Sequence, residues 1–88
     1  MLQINGETGF SMKFENGWTV SVQFGTMHYC SNKHMVRVKE QSCANAEIAA
    51  WDGKDNWYEF DGDPYKTVNG WCDADQVADF ITMIKNKD

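Results

Sequence analysis

Between His28 and Cys43 the chain gathers side chains with the chemistry of a metal site. His28-Tyr29-Cys30, His34 and Cys43 supply two imidazoles and two thiols, a donor set that suits tetrahedral zinc. Their spacing, H-x-C-x₃-H-x₈-C, departs from structural zinc modules, which bring close pairs of ligands a few residues apart. Cysteine buried as a small hydrophobe, with histidines at the surface, accounts for the same residues. The expectation is no metal ligand, with a small structural zinc-binding module as an alternative. His28 and Cys30, on alternate strand positions, would also share a face as a base and a thiol. Nucleophilic catalysis further needs a group that orients the base, and no known catalytic signature accompanies the pair. The chain is expected not to be an enzyme and to carry neither catalytic residues nor a cofactor.

The carboxylates invite two further tests. Asp52-Gly53-Lys54-Asp55-Asn56 and Asp61-Gly62-Asp63 are rich in oxygen ligands but lack the EF-hand spacing and its closing glutamate. Solvated turns explain them. Glu47 and Glu59 could oppose each other across a hairpin as a glycosidase pair does, yet nothing in the sequence promises the cleft that such chemistry requires. Lys33, His34 and Arg37 could contact phosphate while Tyr29 or a tryptophan stacks on a base. That reading, a small-ligand binder such as a sponge for a nucleotide-derived signal, lacks a glycine-rich phosphate loop and stands as an alternative. Trp51 and Trp57 form a cross-strand pair that would stabilise a hairpin by itself. On a sheet face turned away from the core, the same pair would mark a binding surface.

Composition narrows these options. Eighty-eight residues, 42% apolar and 14% aromatic, make one small domain with a real core. Residues 1–45 carry four cations against three carboxylates, and residues 46–88 carry four against ten, for a net charge of −5. A broad basic surface for nucleic acid is therefore not expected, and an acidic surface favours a basic partner. The longest apolar runs are far too short to span a membrane. No basic-then-apolar leader is visible, and three cysteines, Cys30, Cys43 and Cys72, are an odd number. Reduced thiols in a cytoplasm are the expectation.

These side chains need elements to hold them. Phe10, Met12 and Phe14 alternate with polar residues, as do Trp18, Val20, Val22 and Phe24. A two-residue Asn16-Gly17 loop would send the two apolar sets to opposite faces. A three-residue loop, Glu15-Asn16-Gly17, with Gly17 left-handed, pairs Phe14 with Trp18, Met12 with Val20 and Phe10 with Val22, giving one apolar face. Residues 46–60 read as a second hairpin with Trp51 opposite Trp57, Ala50 opposite Tyr58 and Ile48 opposite Phe60. Ile48, Ala50, Tyr58 and Phe60 then face the core, while Glu47, Ala49, Trp51, Trp57 and Glu59 face away. Val68-Asn69-Gly70 reads as a turn or a short edge strand. Asp73 caps a helix from Ala74 to about Lys85, with Val77, Phe80, Ile81 and Ile84 as its buried stripe. Residues 25–45 lose periodicity apart from a short strand expected at 35–38, and so irregular a run points to a site. The fold expected is α+β: an antiparallel sheet of two hairpins, about four to five strands, with one C-terminal helix packed on one face.

Phe14-Glu15-Asn16-Gly17-Trp18-Thr19-Val20-Ser21-Val22-Gln23-Phe24-Gly25, Tyr29-Cys30-Ser31-Asn32, Ala46-Glu47-Ile48-Ala49-Ala50-Trp51-Asp52 and Gly70-Trp71 together resemble a group of small, mostly uncharacterised proteins encoded by bacteriophages. The similarity runs over most of the chain from Phe14 onward. It implies a viral accessory protein made in a bacterial cell, of a kind that often acts by binding a host enzyme or defence component. The leading expectation is thus a non-enzymatic protein that binds a host protein and inhibits or redirects it. Its surface would join Trp51, Trp57, Glu47 and Glu59 to Tyr29, Asn32, His34 and Arg37. Pairing of free sheet edges between two copies is a further option.

Overall fold

A computed structural model describes residues 1–4, 8–24 and 45–88. Among these residues the sheet has five strands in chain order, each antiparallel to its neighbours: β1 (Leu2–Ile4), β2 (Gly9–Lys13), β3 (Thr19–Gln23), β4 (Ala46–Trp51) and β5 (Asn69–Cys72). One helix, α1 (Ala74–Lys85), packs on one face over β3, β4 and β5. The architecture is α+β, as expected from the sequence.

The first hairpin has the bulged register that its apolar pattern demands. Phe10 pairs with Val22 and Met12 with Val20. The loop closes as the Phe14 amide donates to the Trp18 carbonyl at 2.9 Å and the Gly17 amide donates to the Phe14 carbonyl at 3.0 Å. Gly17 sits at φ +89°, where a side chain would be strained. At the other end of β2, Gly9 is required for a different reason: a Cβ there would collide with the Val22 carbonyl oxygen.

β1 was not anticipated as an element. Leu2 pairs with Met12 and Ile4 with Phe10, extending the apolar side of β2 by one short edge strand. Three residues are too few for alternation to announce a strand.

The second hairpin differs from its expected form. Trp51 does bridge Trp57, and the Tyr58 amide donates to the Ala50 carbonyl at 2.9 Å. Beyond Tyr58 the chain leaves the sheet, and Phe60–Gly62 forms a single 3₁₀ turn with Asp61 at φ +57°. Ile48 therefore pairs with Asn69 of β5 instead of Phe60. The cause is local: the turn formers Asp61-Gly62-Asp63-Pro64 follow Phe60 directly and close on themselves. The Asp63 amide donates to the Phe60 carbonyl at 3.1 Å, and Lys66 pairs with Asp61 at 2.9 Å. The freed edge of β4 is taken by β5, which opens at Asn69-Gly70, so the short edge strand is formed there.

Phe60 still reaches the core. Its ring stacks on Phe80 of α1 at 5.3 Å, and Tyr58 meets both rings edge-on at 5.0 and 5.4 Å. Val20, Val22, Ile48, Ala50, Cys72 and Ile84 complete the buried layer between sheet and helix. The helix begins with a full capping box: the Gln76 amide donates to the Asp73 carboxylate and the Asp73 amide to the Gln76 side chain, both at 2.8 Å. Phe80 and Ile84 are buried and Val77 and Ile81 half-buried, as the stripe requires. Among the described residues, no helix is long and apolar enough to cross a membrane.

Candidate protein-binding face

Strand alternation puts Glu47, Ala49 and Trp51 of β4 on the side of the sheet away from α1. The turn after Trp51 then brings Trp57 back beside it. That turn is held by one side chain: Asp52 Oδ1 accepts from the amides of Lys54 at 2.8 Å and Asn56 at 3.0 Å, and Oδ2 accepts from Asn56 Nδ2 at 3.0 Å. The Asn56 side-chain bond, followed by the backbone bonds from Asn56 and Lys54, lowers the Asp52 pKa below its ordinary 3.8. Both carboxylate oxygens are thus spent on the turn, which explains this acidic cluster without calcium.

The two indoles meet with centroids 4.9 Å apart at 41°, Trp51 half-buried and Trp57 46% exposed. Glu59 is exposed where the chain leaves the sheet, and Glu47 is half-buried on β4. Ala49, small and set between Glu47 and Trp51 along the strand, is buried.

A further exposed tryptophan, Trp71, is not among the expected site residues. Trp71 of β5 is 56% exposed and lies at φ +59°, in the left-handed region that costs a side-chain-bearing residue roughly 1–2 kcal/mol. It sits where the pairing of β4 with β5 shifts register between Ala46 and Ile48, next to Cys72, which faces the core. The signal available in the sequence was an aromatic residue just after Asn69-Gly70, a dipeptide that marks irregular backbone. Trp71 stands near the Ala46 end of β4 and the Trp51–Trp57 pair at the other end, roughly 16 Å along the strand.

The remaining expected site residues, Tyr29, Asn32, His34 and Arg37, lie outside the described residues, as do His28, Cys30, Lys33, Cys43 and the strand expected at 35–38. Among the described residues no group of three His, Cys, Asp or Glu side chains could hold a metal. Cys72 is a buried thiol, pushed to higher pKa first by burial and then by the charge of Asp73. It borders a cavity of about 280 Å³ between the sheet and α1, lined also by Val22, Phe24, Val77 and Ile81. Among the described residues that lining is mostly apolar, with Asn45 its polar member, and carries no cation for a phosphate.

The described face offers exposed aromatic and charged surface. Indole rings provide large apolar area with few rotatable bonds, and the nearby carboxylates add negative charge. No family model, curated protein or solved structure matches the chain.

Proposed function

We propose that this chain is a non-enzymatic, phage-type accessory protein that binds a host protein in the bacterial cytoplasm and inhibits or redirects it. The observation that carries the reading is the presence of two exposed tryptophans, Trp57 at 46% and Trp71 at 56%, on a small domain whose core is built from other side chains. Exposed tryptophans are uncommon on isolated small domains and frequent at the centres of protein interfaces. Trp71 adds a second argument, since its backbone is held in a costly conformation while its side chain contributes little to the core. The net charge of −5, with Glu47 on β4 and Glu59 two residues after Trp57, favours a basic partner surface and a fast encounter with it.

The test is capture from a bacterial lysate with the wild-type chain and with a Trp51→Ala/Trp57→Ala variant, alongside circular dichroism of both. Wild type is expected to retain a host protein that the folded double variant releases. Identical partner sets on two folded baits would contradict the assignment of this face.

A further inference from the structure

The chain contains three Asn-Gly dipeptides: Asn5-Gly6, Asn16-Gly17 and Asn69-Gly70. Glycine leaves its own amide nitrogen unshielded, so in an unstructured chain that nitrogen readily reaches the preceding asparagine's side-chain carbon. At Asn16 the fold restrains both reacting groups. Asn16 Nδ2 donates to the carbonyls of Ile84 at 2.9 Å, Lys85 at 3.2 Å and Lys87 at 3.0 Å, which ties the first hairpin's loop to the end of α1. Asn16 Oδ1 accepts from the Trp18 amide at 3.0 Å, and the Gly17 amide is engaged with the Phe14 carbonyl at 3.0 Å.

We infer that Asn16 is a conformationally gated deamidation site, closed while the helix end is docked on the loop and open when it lifts. In the reaction the Gly17 nitrogen attacks Asn16 Cγ and a cyclic imide closes. The Cγ–Nδ2 bond breaks, and ammonia leaves with the proton from the Gly17 nitrogen. Water then opens the imide at one of its two carbonyls, leaving aspartate or isoaspartate. The net change is amide plus water to carboxylic acid plus ammonia, with no change of oxidation state.

The product cannot restore the dock. A carboxylate has no N–H to give the carbonyls of Ile84, Lys85 and Lys87, and its charge sits at the end of α1 where the helix dipole disfavours an anion. Isoaspartate also lengthens the backbone of a three-residue loop whose register sends Phe10 and Met12 to the apolar face. The gate is therefore one-way: each opening that ends in reaction removes a molecule from the docked population.

The experiment incubates the full chain at neutral pH, folded and in urea, and follows each Asn-Gly site by peptide mapping. In urea the three sites should convert at comparable rates, while in the folded chain Asn16 should slow by about tenfold or more. Converted protein after refolding, and an Asn16→Asp variant, should melt about 5–15 °C below wild type, or fail to refold. Conversion of Asn16 as fast in the folded chain as in urea would overturn the gate. Wild-type melting of both the converted protein and Asn16→Asp would overturn the one-way dock. The rate comparison uses the unmodified chain, so it decides the first point even if the variant does not fold.

Discussion

Both hairpins place tryptophan beside a turn, and the two turns have opposite fates. Trp18, next to Glu15-Asn16-Gly17, packs against the core, and the Lys87 ammonium lies 5.1 Å from its ring centre. Trp57, closing the Asp52–Asn56 turn, stands 46% exposed against Trp51. The difference is what reaches each turn. Asn16 bonds three carbonyls at the end of α1, so the helix holds the first hairpin's tip against the core. The polar side chain of the second turn, Asp52, bonds only its own turn, and the chain leaves the sheet two residues past Trp57. One hairpin is scaffold and the other is surface, although their sequences advertise the same motif.

Substitutions can break this contrast, beginning beneath the helix. Ile84→Ala, at a site with no exposure, should cost about 2–5 kcal/mol in urea denaturation, since both transfer and cavity costs apply. Asn16→Ala should cost about 0.5–1.5 kcal/mol by the same measurement, because carbonyls at the helix end exchange their donor for water. A negligible loss would mean that the two hairpins are not distinguished by their ties to α1. Trp71→Gly runs the other way: relief of the left-handed backbone should raise stability by about 1 kcal/mol while partner binding falls. If stability falls instead, Trp71 belongs to the scaffold. Trp57→Ala should cost only roughly 0.2–1 kcal/mol of stability, the worth of an exposed cross-strand pair.

The smallest effect is a pH dependence confined to the second turn. The Asp52 pKa is lower in the folded chain than its ordinary 3.8, so its contribution is fully present above that value and is lost as pH falls through the folded pKa. Amide resonances of Lys54 and Asn56 should therefore shift in acid below pH 3.8, a shift that Asp52→Asn should reduce.

These contrasts also mark what was legible in the sequence. The bulged register around Gly17 followed from face-matching alone, because a one-residue slip would have exposed Phe10, Met12 and Phe14. The helix and its cap followed from Asp73, Gln76 and a four-residue apolar stripe, all local signals. The departure of Phe60 from the second hairpin was harder to read, since alternation continues through Glu59 and Phe60 while the turn chemistry of residues 61–64 wins. The pairing of β4 with β5 is non-local, and no pattern within residues 69–72 specifies Ile48 as the partner of Asn69. At the site, the Trp51–Trp57 bridge was visible as a hairpin pair, whereas the exposure of Trp71 depends on a backbone conformation that an isolated Gly-Trp does not reveal.

In the proposed role, the tryptophan face binds while the first hairpin and helix support it. The most direct measurement is the affinity of the captured host protein for wild type and for Trp51→Ala/Trp57→Ala, with urea denaturation of both chains in parallel. Aromatic anchors at an interface centre predict a loss of about 2 kcal/mol or more in binding, roughly 30-fold in Kd, with the variant still cooperatively folded. An unchanged Kd for a folded variant would contradict the claim.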